Sequence, residues 1–150
     1  MWQLNLPTYA FKTKITNGKT YIFDRIRKKY IRLTPEEWVR QHMVIFLIKE
    51  KGFPGTLLSN EVSIKYNKLI KRCDSVVYNT KGEALLIVEY KSPEVEITQK
   101  TFDQIVLYNY RLRVKYLLIS NGLQHFCCKI DFDKMTTEYL QEIPFYSDIQ

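Results

Sequence analysis

Residues 84–91, Ala-Leu-Leu-Ile-Val-Glu-Tyr-Lys, constrain the fold of this chain more than any other segment: five apolar residues in succession, then a carboxylate and an ammonium two positions apart. A run without alternation reads as a strand covered on both faces, and its charged end has to emerge into a cleft. Pro93 prevents the strand from pairing further. Glu89 and Lys91, at i and i+2, leave the strand on the same face. The preceding strand is expected over 72–78, with Asp74 near its start, and a turn at Lys81-Gly82 joins the two. Antiparallel pairing sets the start of one strand opposite the end of the next, so Asp74 approaches Glu89. Two carboxylates held together repel and lose hydration unless a cation joins them, and hard oxygen ligands suit Mg2+ or Mn2+. A neighbouring Lys91 can orient an attacking water or stabilise charge developing on a phosphate. A surface cross-strand pair is the alternative reading of Glu89 and Lys91.

The rest of the chain reads around that strand. Asn17-Gly18 suits a tight turn between strands at 10–15 and 20–23, giving an N-terminal β-hairpin. Thr34-Pro35-Glu36-Glu37 has the form of a helix cap, with proline at the first helical position and a Glu at the third. A helix follows to about Lys51, stopped by Gly52 and Pro54. Further strands are expected at 57–66, 116–120 and 125–130, and a second helix at 99–113. On that helix Gln104, Tyr108 and Arg111 form a polar stripe opposite Phe102, Ile105, Val106 and Leu112. The last twenty residues hold five acids against Lys134, and the pattern there predicts a short helix near 138–142 and a loose end.

Charge and composition narrow the function. The net charge is +7, and residues 1–32 carry eight Lys or Arg against Asp24, while residues 33–150 hold fifteen of each sign. The densest piece, 25–32, contains Arg25, Arg27, Lys28, Lys29 and Arg32 around Tyr30, as a phosphate-tracking segment with a stacking ring would. Solvated charge is the alternative. With 45% hydrophobic residues the chain is globular, and 150 residues fit one domain: 1–32 a basic hairpin and arm, 33–131 the core, 132–150 an acidic tail. No signal-like start and no apolar run of membrane length are present, so a cytoplasmic location and no membrane partner are expected. Three cysteines, two of them adjacent, suit buried thiols rather than disulfides.

A lone Glu-x-Lys is uninformative, since ten Glu and sixteen Lys in this chain give about one such triplet by chance. The combined set is specific. Asp74, Glu89-x-Lys91 and Gln104-x-x-x-Tyr108, on the order helix, three strands, helix, strand, resemble the PD-(D/E)XK nuclease superfamily. Leu33-Thr-Pro-Glu-Glu-Trp-Val-Arg-Gln41, Lys71-Arg-Cys-Asp74, Val88-Glu-Tyr-Lys-Ser-Pro93 and Ser120-Asn-Gly122 are similar to the N-terminal nuclease domain of type I restriction enzyme R subunits. The resemblance covers about residues 20–131. It implies an α/β restriction-endonuclease-like αβββαβ core, a mixed sheet of four to five strands flanked by helices. It also implies metal-dependent hydrolysis of DNA, with Asp74, Glu89 and the Tyr90 carbonyl as ligands of Mg2+ or Mn2+ and Lys91 catalytic. Gln104 and Tyr108 would line the site. An acid from the first helix, Glu36 or Glu37, would join it, and Glu37 stands in the expected ligand set beside its capping role. The R subunits continue into an ATP-driven translocase, whereas these 150 residues contain no Gly-x-x-x-x-Gly-Lys-Ser/Thr loop. No motor is therefore expected of them, and a partner chain or homodimer is. A module of the same fold that binds nucleic acid without turnover, or a nuclease of RNA, fits the same residues.

Overall fold

The apolar run at 84–88 does form a central strand. In the computed structural model, which describes residues 1–150, nine strands and three helices follow in the order β1 (Thr13–Thr16), β2 (Lys19–Asp24), β3 (Lys29–Arg32), α1 (Pro35–Lys51), β4 (Leu58–Tyr66), β5 (Leu69–Tyr78), β6 (Ala84–Tyr90), α2 (Gln99–Leu112), β7 (Tyr116–Ser120), β8 (His125–Asp131), β9 (Thr136–Leu140) and α3 (Tyr146–Ile149). Strands β4 to β9 form one sheet in sequence order, antiparallel throughout except for the parallel pair β6–β7. Helix α2 is the crossover that the parallel pair requires.

The two long helices cover opposite faces of this sheet. Val39, Met43, Val44 and Leu47 of α1 pack with Val77, Leu86, Val88, Tyr90 and Leu118. Phe102, Val106 and Leu112 of α2 pack with Cys73, Val76, Ile87, Leu117, Ile119 and Cys128. Both faces of β6 are thus buried, which is why its sequence does not alternate. Helix α1 begins where the cap pattern places it: the Thr34 hydroxyl accepts the Glu37 N–H at 3.0 Å. It ends at Gly52, whose φ of +71° is the left-handed conformation that glycine tolerates. None of the helices is long and apolar enough to cross a membrane.

Three expectations are corrected. The N-terminal hairpin gains a third strand, because β3 pairs along β2 from Tyr21↔Arg32 to Asp24↔Lys29; part of the basic segment is therefore sheet. The main sheet has six strands rather than four or five, since Thr136 to Leu140 pairs with β8 as β9 where a helix was expected. Its Thr-Thr-Glu-Tyr-Leu sequence is rich in strand formers, and Tyr139 stacks on Phe102 of α2 at 5.2 Å. Finally, the end is anchored rather than loose: Ile143, Tyr146 and Ile149 are buried against the α1-side core, and the Tyr146 ring meets Phe53 at 5.5 Å.

That anchoring predicts a contrast between neighbours. Tyr146→Ala should lower unfolding free energy by about 3 kcal/mol through lost burial and a residual cavity. Phe145→Ala, at a ring that is 47% exposed, should cost under about 1 kcal/mol. Urea denaturation of the two variants checks this, and equal small losses would mean that the terminus does not contribute to the core.

Candidate active site

Strands β5 and β6 pair from Tyr78↔Ala84 to Ser75↔Val88, and the next residues on each are Asp74 and Glu89. There the ladder changes character. The Tyr90 N–H donates to the Asp74 carboxylate, at 2.8 Å from Oδ2, in place of a partner carbonyl. On the other side of β6, the Lys91 N–H donates to the Ser120 carbonyl of β7 at 2.8 Å. Ile87 packs on the α2 side, and Val88 and Tyr90 on the α1 side. Alternation from Ile87 therefore turns Glu89 and Lys91 toward α2.

The electrostatics of this strand end are those of crowded anions. The Glu89 carboxyl is pushed up to about 7, first by burial and then by the charge of Asp74, with a hydrogen bond between the two carboxyl groups adding to the shift. Lys71 and Lys91 act in the opposite direction, and Lys71 Nζ lies 3.7 Å from Glu89 Oε1. Glu36, in the first turn of α1, is likewise raised, by burial and then by Asp74, against the pull of Arg40 and Lys91. No three His, Cys, Asp or Glu side chains converge into a ready-made metal cage. The available donors are the adjacent oxygens of Asp74 and Glu89, with Glu36 close enough to feel Asp74.

Beneath the pair lies a buried polar network. The Arg40 guanidinium donates to the Asp74 carbonyl at 2.7 Å and also to Glu61, and it lies 5.5 Å from the centre of the Tyr90 ring. The Tyr90 hydroxyl donates to Ser75 (2.8 Å), Ser75 to Asn60 (2.6 Å), and the Asn60 amide to Asp24 (3.1 Å). Burial alone would raise the Asp24 carboxyl. The backbone and side-chain bonds from Arg27, with that of Asn60, outweigh burial and hold it below its ordinary value.

This network separates residues that the sequence placed together. Glu37 is not poised as a ligand: Oε1 pairs with Arg27 at 3.0 Å, and Oε2 with Arg40 at 3.2 Å and with the Gln41 amide at 2.9 Å. Glu36 is the first-helix acid that faces Asp74 and Lys91 electrostatically. Arg27 is likewise turned inward, paired with Asp24 and Glu37, whereas Arg25, Lys28, Lys29 and Arg32 are exposed. Gln104, Tyr108 and Arg111 lie on the exposed side of α2 and line an open groove with Leu107. Tyr108 is joined to the site through Lys71, whose Nζ sits 5.1 Å from the centre of its ring. Lys71 and Arg40 are the residues that sequence reasoning missed. The signal for Arg40 was a cation on the face of α1 that also carries Val39, Met43 and Val44. Lys71 had only its place three residues before Asp74.

Comparison with known proteins agrees with this architecture. Residues 35–144 match the family described as type I restriction enzyme R protein N terminus (HSDR_N). A solved fragment assigned as an HsdR subunit of a type I restriction enzyme from Vibrio vulnificus YJ016 superposes with a TM-score of 0.55 at 19% identity. The superposition covers 78% of this chain and 24% of that one, so this chain spans about a quarter of the length of its solved relative. No curated protein sequence matches. The family match takes in α1, the whole six-stranded sheet, α2 and every residue of the carboxylate pair and its supports except Asp24 and Arg27. The chain belongs to the type I restriction enzyme R protein N-terminal (HSDR_N) family.

Proposed function

We propose that this chain is a PD-(D/E)XK-type nuclease domain that hydrolyses DNA phosphodiester bonds with Mg2+ or Mn2+, within a restriction or DNA-processing system. The observation that carries the reading is the apposition of Asp74 and Glu89 at the end of β5–β6 pairing, with Lys91 two residues beyond Glu89. The raised Glu89 carboxyl supports it, because a site that holds a proton near neutral pH for want of positive charge is one a cation would fill. Two carboxylates with no sulfur or imidazole fit a hard divalent ion. Asp74 and Glu89 would hold it with the Tyr90 carbonyl, and Glu36 takes the first-helix role in place of Glu37. When bound, the ion supplies positive charge to a phosphoryl oxygen and acidifies water.

The protein's own groups divide the remaining work. Lys91 sets an ammonium where negative charge grows on the phosphate. Lys71 orients the Glu89 carboxylate and is itself held under the Tyr108 ring. Gln104 and Tyr108 wall the site on the α2 side, and Arg111 with Arg25, Lys28, Lys29 and Arg32 supplies exposed positive charge for phosphates. The reading includes a partner chain or a second copy of this one as the source of site selection.

Substitutions should separate these roles. Asp74→Ala and Glu89→Ala should abolish cleavage and weaken Mn2+ binding. Lys91→Ala should keep Mn2+ affinity while turnover falls by on the order of a hundredfold. DNA binding should survive in all three. Wild-type protein that binds DNA but cuts it under no divalent metal would instead make this a binding module.

The Glu89 carboxyl gives a second, metal-free test. Its folded-state value of about 7 lies above the ordinary 4.5, so its contribution to stability is complete below about 4.5 and is lost as pH rises through about 7. Glu89→Gln should therefore be more stable than wild type at pH 8 in EDTA, by on the order of 2 kcal/mol, with the gap closing near pH 4.5. Denaturant titrations at several pH values measure this; a gap independent of pH would contradict the assignment.

A further inference from the structure

The even charge balance of residues 33–150 conceals a local excess: residues 62–73 carry Lys65, Lys68, Lys71 and Arg72 and no acid. In the fold these residues form one ribbon. Strands β4 and β5 pair from Leu58↔Val77 out to Tyr66↔Leu69, but β6 leaves β5 at Ser75, so the ribbon continues past the Asp74–Glu89 end of the sheet without β6 beside it. From Asp74 to the tip at Lys68 it extends about 20 Å at the usual strand rise.

The faces of the ribbon differ. Val62, Ile64, Leu69 and Cys73 turn toward the α2-side core, and the Arg113 guanidinium lies 6.0 Å from the Tyr66 ring, so this face is anchored. The other face carries Ser63 opposite Arg72 and Lys65 opposite Ile70, all four exposed, with Ile70 at 62%. Arg72 is aimed by the Glu61 carboxylate, 3.0 Å from its Nε, which leaves the rest of the guanidinium outward. Ile70 and Arg72 lie within four residues of Asp74, so this face borders the site end of the sheet. An exposed isoleucine between two cations on an edge that is otherwise solvated is a feature that folding does not require.

We infer that the β4–β5 ribbon is a DNA-contact arm: Lys65, Lys68 and Arg72 hold phosphates of a duplex beside the scissile one, and Ile70 packs against its groove. The inference rests on the nuclease reading for its choice of ligand. Duplex DNA is the occupant favoured by charge complementarity, by continuity with Asp74 and by geometry, since the major groove admits a two-stranded β-ribbon.

The test uses the full chain and a short DNA duplex in EDTA, so that binding is read without cleavage, by fluorescence anisotropy across a salt series. The triple variant Lys65→Gln, Lys68→Gln, Arg72→Gln should bind tenfold or more weakly at about 0.1 M salt, with the slope of log affinity against log salt reduced by two to three units. Ile70→Ser should weaken binding severalfold at an unchanged slope. Lys81→Gln with Lys49→Gln, in the β5–β6 turn and the last turn of α1 at the far end from Asp74, should change the slope by less than one unit. A triple variant with wild-type affinity and slope, or a far-end pair that loses as much as the triple, overturns the inference. Cleavage in Mg2+ or Mn2+ is scored separately. Wild-type protein that binds through the ribbon but never cuts defeats the nuclease reading and upholds the arm, whereas cutting by wild type with wild-type binding by the triple variant does the reverse.

Discussion

The site depends on a single substitution in the β-ladder: the Tyr90 N–H is satisfied by the Asp74 carboxylate rather than by a backbone carbonyl. A buried N–H must have a partner, and using a side chain for it ends the β5–β6 pairing at that point. The ladder thereby fixes one carboxylate at the edge of the sheet and sets Glu89, the neighbour of Tyr90, against it. Two anions held this way do not stabilise the fold. The raised Glu89 carboxyl is the measure of that conflict, and Lys71 and Lys91 are the charges that limit it. A fold selected for stability alone would place an apolar pair at the end of its central strand.

Preorganisation of the pair comes from the α1 side. Arg40 binds the backbone of Asp74, while the relay from Asp24 through Asn60 and Ser75 ends on the hydroxyl of Tyr90, between Glu89 and Lys91. A buried network of this kind is costly unless its members are satisfied, and when satisfied it holds a unique geometry. It also ties the N-terminal sheet to the central strand β6, because Asp24 closes β2 and binds Arg27, which in turn binds Glu37 of α1. The basic segment is thus part support and part surface: Arg27 serves the network, and the exposed cations beside it remain available to phosphates.

Much of this was legible in the sequence. Both long helices stand where the sequence placed them, α1 marked at its ends by Thr34-Pro35 and Gly52 and α2 by its apolar and polar stripes. The apolar run at 84–88 and its turn at Lys81-Gly82 brought Asp74 near Glu89, although the register beside the turn shifts by one between Val77 and Tyr78, an irregularity that nothing in the sequence marked. What could not be read are choices that depend on tertiary contacts. The cap pattern located Glu37 correctly at its backbone, but not the direction of its carboxylate, which Arg27 from beyond β2 and Arg40 one turn along α1 decide. Strand β9 has five residues and an uneven burial pattern, so only its pairing with β8 and the stack of Tyr139 on Phe102 define it. Summed charge hid the β4–β5 ribbon, since acids outside residues 62–73 balanced its cations in the total.

The central claim is that Asp74 and Glu89 are built to share one divalent cation, and a crystal soaked in Mn2+ tests it most directly. The account predicts a single anomalous peak within about 2.0–2.3 Å of an oxygen of each carboxylate, with the Tyr90 carbonyl in the same shell. Peaks that avoid both carboxylates, or none at saturating Mn2+ near pH 8 where Glu89 is ionised, would contradict it.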